Sequence, residues 1–135
     1  MTTKEFTIQL EDQPGTLAKL SQALADRGVN IVAFQAFPIE GESTVRLIVD
    51  NPSAAKAVLN NLKATYTESQ VAQTKLAHKP GSLARAAKTL GEANININYA
   101  YSGIETGTNT PILIIGVKDV TKAATLLDEV AAQAA

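Results

Sequence analysis

The chain contains one stretch of about twenty residues twice, and this internal repeat strongly limits the folds open to it. Residues 12–31 read DQPGTLAKLSQALADRGVNI, and residues 78–97 read HKPGSLARAAKTLGEANINI. The two stretches align at a constant offset of 66 residues, which places Gly81 on Gly15. A repeat that stays in register over this distance indicates a duplicated structural unit.

The length of the repeat predicts two small units instead of one ordinary domain. A unit of about 66 residues is marginal when isolated, because a short chain buries a small share of its apolar surface. The chain has 135 residues, of which 45% are hydrophobic, so two such units can pack together. We predict a first unit at residues 1–69 and a second at residues 70–135, without a linker rich in Gly, Ser or Pro.

The first copy shows the pattern of a βαββαβ unit. Apolar and polar residues alternate in KEFTIQLE, which is typical of a strand with one buried face. After the Pro-Gly pair, leucines recur at helical spacing, with Thr16 as a candidate cap and Gly28 as the left-handed residue at the helix end. Two strands at 29–40 and 43–50, a helix from Pro52 capped by Asn51, and a short strand at 64–69 complete this copy.

The second copy shows the order βαββα. We predict a strand at 71–78, a helix at 82–93, strands at 95–102 and 110–118, and a helix from Asp119. Asn94 aligns with Gly28, and asparagine is the next most tolerant residue in the left-handed conformation. The predicted fold class is α+β: two ferredoxin-like (βαββαβ) units in tandem, with antiparallel sheets and helices on one face, the second unit lacking its final strand.

One strand of the second copy is apolar throughout, in contrast to the alternating strands. Ile112, Leu113, Ile114 and Ile115 leave it no polar face, so we expect both of its faces to be covered. The absent final strand leaves the segment Val71–Leu76 as an uncovered edge that a second chain can pair with or cover. We therefore expect a homodimer or a larger assembly.

Composition argues against several classes of function. The net charge of −1 gives no electrostatic signature for nucleic acid or for an anionic membrane. The chain has no cysteine, which rules out disulfides and thiolate catalysis and fits a reducing compartment. Because no apolar run approaches ~20 residues and the first residues are polar, we expect neither a membrane span nor a signal peptide, and we assign the cytoplasm.

Each copy places a Pro-Gly pair between the end of a strand and the start of a helix. Backbone N–H groups at a helix start have no intrahelical partner, and the helix dipole adds partial positive charge there. Glycine has no Cβ, so a carboxylate can approach these N–H groups at Gly15 and Gly81. The alternative interpretation is that both glycines only satisfy a tight turn after proline.

The two copies differ in charge beside this turn. Asp12 can bind an ammonium group in the first copy, whereas His78 and Lys79 occupy the matching region of the second. Asn30 and Asn96 open the next strand beside the loop, and their amides can both donate and accept hydrogen bonds. A local backbone cap is the alternative role for these asparagines. We expect two chemically unequal pockets.

These motifs resemble the ACT domain, a small regulatory unit that is appended to enzymes of amino-acid metabolism and also occurs as free-standing tandem pairs. The resemblance rests on the D/H-x-P-G-x-L-A start, on the helix, and on GVNIVAF or ANININY at the next strand, and it covers nearly the whole chain. It implies edge-to-edge or face-to-face association of ACT units and a free amino acid bound at an interface near the first glycine loop.

The resemblance also implies a regulatory sensor without enzymatic activity, cofactor or metal, whose protein partner is an enzyme of amino-acid metabolism. By position, the implied ligand-binding residues are Asp12, Gln13, Gly15, Thr16, Leu17 and Asn30 in the first unit and His78, Lys79, Gly81, Ser82, Leu83 and Asn96 in the second. The absent final strand departs from the family pattern.

Two other classes of protein share this kind of topology. An RNA-recognition domain needs aromatic residues on two central strands within basic surroundings, whereas here the aromatics cluster on one predicted strand of each copy. An acylphosphatase-like hydrolase would use an Arg and an Asn, but the first Pro-Gly loop has no Arg and no nucleophile–base pair is evident. A protein-interaction module without a ligand remains the main alternative to an amino-acid sensor.

Overall fold

The structure, a computed structural model, describes residues 1–134, and for residues 132–134 it describes the backbone alone. Residue 135, the last of the predicted second unit, lies outside the described residues. The strands are β1 (Thr2–Glu11), β2 (Ile31–Ile39), β3 (Glu42–Val49), β4 (Thr65–Lys75), β5 (Tyr99–Ile104) and β6 (Pro111–Gly116). The helices are α1 (Thr16–Asp26), α2 (Pro52–Asn61), α3 (Ser82–Glu92) and α4 (Val120–Ala134).

The predicted fold class is wrong, because the chain does not form two tandem ferredoxin-like units with separate sheets. The described strands follow a single closed barrel order, β1-β3-β2-β5-β6-β4. The strands predicted at 64–69 and 71–78 are one continuous strand, β4. Its sequence, TYTESQVAQTK, contains no Gly or Pro that would interrupt a strand, so the chain has six described strands where seven were predicted.

The chain groups into two compact units, and both β1 and β4 cross the boundary between them. We call Lys4–Ser69 the first unit, and Met1–Thr3 together with Gln70 and the residues after it the second unit. In the first unit, β3 pairs in antiparallel fashion with both β1 and β2. Buried side chains from these strands pack with those of α1 and α2; among them are Phe6, Leu24, Leu47 and Leu59.

The second unit has its own hydrophobic core. Here β6 pairs in antiparallel fashion with β4 and β5. Ala72, Leu113 and Ile115 from the sheet pack with Leu90 of α3 and Leu127 of α4. Burial of these side chains supplies the main favourable free energy of folding for the unit.

Strand β6 is buried on both of its faces, as predicted. Ile112 and Ile114 are fully buried, and Leu113 and Ile115 on the opposite face are at most 4% exposed. The burial is complete within the single chain and needs no second copy.

Strand β4 does not form an uncovered edge at Gln73, contrary to the prediction for Val71–Leu76. The Gln73 N–H donates to the carbonyl of Met1 at 2.8 Å. The Met1 ammonium donates to the Gln73 carbonyl at 3.0 Å and to a carboxylate oxygen of Asp128 at 2.6 Å. The start of the chain thus occupies the position that the absent eighth strand was expected to leave open.

Candidate functional site

Both Pro-Gly segments fold as the same tight turn. The Gln13 carbonyl accepts a hydrogen bond from the Thr16 N–H at 3.4 Å, and in the second copy the Lys79 carbonyl accepts one from the Ser82 N–H at 3.4 Å. The glycine at the third position of each turn has φ near +90° and ψ near −10°. These angles are those of the third residue of a type II turn, which requires a positive φ at this position. The turn by itself therefore accounts for both glycines.

The space above both glycines is nevertheless open. A Cβ atom built on Gly15 or Gly81 would meet nothing within 4 Å. Neither α1 nor α3 has an acidic residue in its first turn or a side-chain cap. The partial positive charge at each helix start is therefore not neutralised by the helix's own residues, and a carboxylate has room to approach.

Thr16 does not cap α1, although the sequence predicted this role. Gly15 occupies the N-cap position, and Thr16 is the first residue of the helix. The Thr16 hydroxyl donates instead to the carbonyls of Glu11 and Gln13, at 3.0 and 3.1 Å. It fixes the turn to the end of β1 and leaves the helix N–H groups without a side-chain acceptor.

The grooves beside the two turns differ in size and charge. The groove at the first turn has a volume of about 400 Å³, and its charged walls are Glu11, Lys19 and Lys63. The groove at the second turn measures about 40 Å³, and its charged walls are all basic: Lys75, Lys79 and Arg85. The first groove has room for a small zwitterion, whereas the second is about ten times smaller.

The candidate residues are not all brought together. Thr16 lines the first groove, and Lys79 and Ser82 line the second. Leu17 and Leu83, just after the glycines, are 37% and 56% exposed. The remaining turn residues, Asp12, Gln13 and His78, are exposed on the loops.

Asn30 and Asn96 lie away from the turn of their own unit. Helix α1 has 11 residues and separates Gly15 from Asn30 by about 16 Å, at ~1.5 Å per residue. The Asn30 N–H donates to a carboxylate oxygen of Asp50 at 2.9 Å, and the Asn96 amide donates to Asn98 at 3.2 Å. Within one unit, the asparagine and the glycine therefore do not form one pocket.

A larger groove, which the sequence did not predict, lies in the second unit at the C-terminal end of α3. Its volume is about 830 Å³, and Asn96 is the one predicted residue that lines it. The missed residues are Asn94, Asn98, Lys118, Asp119 and Lys122. The cluster of asparagines before β5 was visible in the sequence, but nothing local indicated that it faces lysines near the start of α4.

The described residues show neither a metal site nor a membrane-spanning helix. Across residues 1–134, no group of three or more His, Cys, Asp or Glu side chains is arranged to hold a metal ion. None of the helices described above combines the length and the apolar character needed to cross a membrane.

One family of known proteins matches part of the chain. The ACT domain family matches residues 5–65, which include the first Pro-Gly turn, α1 and α2. The match does not extend to the second copy. No curated protein sequence matches the chain at a significant level.

Solved structures share the fold over most of the chain. A protein from Bacteroides thetaiotaomicron has a TM-score of 0.83 at 25% sequence identity, covering 96% of this chain and 88% of that one. The ligand-free regulatory subunit of aspartate kinase from Thermus thermophilus has a TM-score of 0.63 at 20% identity, covering 95% and 91%. The regulatory subunit of aspartate kinase from Thermus flavus has a TM-score of 0.56 at 19% identity, with the same coverage.

Proposed function

We propose that this protein is a regulatory module that binds a free amino acid at its Pro-Gly turns and catalyses no reaction. The observation that carries the proposal is the ACT match over residues 5–65, which includes a turn whose glycine is open to solvent. The fold shared with regulatory subunits of aspartate kinase supports a regulatory role.

The first turn is the stronger of the two proposed sites. The start of α1 offers backbone N–H groups and partial positive charge to the ligand carboxylate. Glu11 lines the groove, and Asp12 lies next to it in the chain, so carboxylates are available for the ligand ammonium. The second turn has basic walls and a groove ten times smaller, so we propose that it binds more weakly or not at all.

Among the residues that the resemblance implied, those of the two turns are proposed to bind the ligand, with Gly15 and Thr16 at the centre of the first site. Asn30 and Asn96 lie away from the turn of their own unit and are not part of this proposal. We further propose that residues 1–69 and 70–135 act as two ACT-like units in a cytoplasmic protein. The proposed protein partner is an enzyme of amino-acid metabolism. A ligand-free interaction module is the competing function.

A thermal-shift screen with the twenty amino acids separates the two functions. A ligand at a hundredfold excess over its Kd should stabilise the folded chain by about 2.7 kcal/mol. We expect one amino acid or a few related ones to raise the Tm. If none does so at millimolar concentration, the sensor function is wrong and the interaction module is favoured.

Alanine variants then locate the site. Gly15→Ala places a methyl group at the opening of the first turn and should lower the affinity for the amino acid found in the screen. Gly107→Ala is the matched control, because Gly107 has a φ of +79° and its Cβ would also meet nothing within 4 Å. Both variants carry a similar backbone strain of about 1–2 kcal/mol. Equal affinity in the two variants would contradict binding at Gly15.

A further inference from the structure

The groove at the C-terminal end of α3 is larger than either groove at the Pro-Gly turns. Its volume of about 830 Å³ is within the usual range for small-molecule sites. Helix α3 has 11 residues and separates the groove from Gly81 by about 16 Å, at ~1.5 Å per residue. The groove is therefore distinct from the turn in its own unit.

In each unit, we call the place where the residues just before one strand (β2 or β5) meet the residues just after its hairpin partner (β3 or β6) the corner. The groove lies at the corner of the second unit, and the strand pairing identifies the matching corner of the first unit. Tyr99 of β5 pairs with Gly116 of β6. Ala33 of β2, which matches Tyr99 at the offset of 66, pairs with Ile48 of β3. Residues after the hairpin therefore correspond at an offset of 68, because the second hairpin is two residues longer. At this offset Lys118 corresponds to Asp50.

In the first unit, an internal carboxylate closes this corner. The Asn30 N–H donates to a carboxylate oxygen of Asp50 at 2.9 Å. The Asp50 N–H donates in return to the Asn30 carbonyl at 3.1 Å. Strand β2 begins directly after this pair, at Ile31. A backbone N–H at the corner thus binds a carboxylate.

In the second unit, the same corner is open. Lys118 stands in place of Asp50 and cannot accept a hydrogen bond from the Asn96 N–H. Among the described residues, no backbone carbonyl accepts a hydrogen bond from this N–H. Strand β5 begins at Tyr99, two residues after Ile97, which is the counterpart of Ile31. Backbone pairing begins with the Asn98 N–H, which donates to the Gly116 carbonyl at 2.9 Å, and Asn94, Asn96 and Asn98 line the groove at this point.

The groove also carries an excess of positive charge. Lys118 and Lys122 line it, are exposed, and form no ion pair with any described residue. Asp119 is the one acidic residue in its wall, and its carboxylate accepts a hydrogen bond from the Lys122 N–H at 3.2 Å. This bond caps α4 and partly satisfies the carboxylate.

We propose that this groove binds the carboxylate group of a small molecule, in the position that the Asp50 carboxylate takes in the first unit. The Asn96 N–H donates to the carboxylate, and Lys118 and Lys122 supply the opposite charge. Asn94 and Asn98 are placed to hydrogen-bond polar groups on the rest of the molecule. The site does not depend on the Pro-Gly turns, so the two proposals can fail separately.

An amide-resolved NMR titration of the full chain with succinate tests the inference, with sodium chloride at equal ionic strength as the salt control. We expect saturable shifts at the amides of Asn96, Asn98 and Lys118. Lys118→Asp rebuilds the internal carboxylate of the first unit and should lower the affinity for succinate at least tenfold. Lys88→Asp is the control, because it changes the net charge equally on the exposed surface of α3.

Several outcomes would overturn the inference. Succinate shifts that sodium chloride reproduces, or that Lys118→Asp and Lys88→Asp weaken equally, would show a nonspecific charge effect. Shifts confined to Gly15 or Gly81 would overturn this site while supporting the proposed function. A parallel titration with inorganic phosphate tests the class of anion, and tighter binding of phosphate at the same amides would contradict the assignment to a carboxylate.

Discussion

Gly28 and Asn94 adopt the same left-handed backbone conformation at the ends of their helices in the two copies. Their φ values are +68° and +60°, and each lies just after the C-cap of its helix. In both copies the following N–H donates back to a leucine carbonyl of the last helical turn, at 3.0 and 2.9 Å. The prediction that Asn94 takes the left-handed position is confirmed, because the conformation depends on the local chain and on a residue type that tolerates it.

At Gly116, side-chain packing and not backbone conformation favours glycine, and a substitution can test this packing. A Cβ at this position would clash with the ring of Tyr99, which stacks on Tyr101 with ring centroids 6.4 Å apart. Gly116→Ala must displace this ring, so we expect a loss of about 1–3 kcal/mol in the free energy of unfolding. Urea denaturation measures this loss.

Gly91 supplies the matched control for that substitution. It lies inside α3, and its Cβ would meet nothing within 4 Å. Gly91→Ala should stabilise the protein by about 0.5–1 kcal/mol, because alanine loses less backbone entropy in a helix. A Gly116→Ala variant that is as stable as wild type would show that the tyrosine pair moves without cost.

An ion-pair network joins three elements of the first unit. Glu68 of β4 contacts the ammonium of Lys4 on β1 at 3.1 Å and that of Lys56 on α2 at 3.2 Å. Hydrogen bonds to Lys4 and then to Lys56 are the main causes that lower the pKa of the Glu68 carboxyl. Since the folded state favours the ionised carboxylate, the network stabilises the fold only while Glu68 is charged.

The lowered pKa of Glu68 predicts the direction of a pH dependence. The stabilisation is complete above the unfolded-state pKa of about 4.3 and is lost as the pH falls through the lower folded-state pKa. The difference in free energy of unfolding between wild type and Glu68→Gln should be constant between about pH 7 and pH 5.5 and shrink below that. Urea titrations at several pH values measure it. A difference that grows on acidification would have the wrong sign.

Thr67→Ala gives the neutral comparison on the same strand. Thr67 is exposed on β4 and carries no titratable group. Its difference from wild type should not change with pH, because the substitution leaves the Glu68 network in place. If the stability difference from wild type shrank on acidification in both variants, the pH dependence would belong to the strand and not to the Glu68 carboxylate.

At the scale of the whole molecule, the homodimer or larger assembly stays a prediction. The edge at Gln73 no longer supports it, because Met1 pairs there. Large apolar side chains are still exposed, however, with Phe34 at 55% and Leu83 at 56%. We expect light scattering at low micromolar concentration to give a mass above 14.2 kDa, the mass of one chain. A mass of one chain with a folded circular-dichroism spectrum would contradict the homodimer.

The sequence by itself determined the features that depend on neighbouring residues. It predicted the Pro-Gly turns, the positions of all four described helices within about two residues, and the cap of α2, where the Asn51 side chain accepts a hydrogen bond from the Ala54 N–H. The apolar run of β6 also predicted its own burial. These features follow from turn chemistry, helical periodicity and local hydrogen bonds, which act over a few residues.

Only the tertiary structure decided which strands join and which residues share a groove. β4 carries no local signal for its length, since its ends depend on pairing with segments far away in the chain. The proposed role of Lys118 likewise depends on the strand pairing, which makes Lys118 the counterpart of Asp50. The Asp50 carboxylate accepts a hydrogen bond from the Asn30 N–H. Strand order and groove composition depend on contacts between residues distant in sequence, and the pattern within any one segment does not encode them.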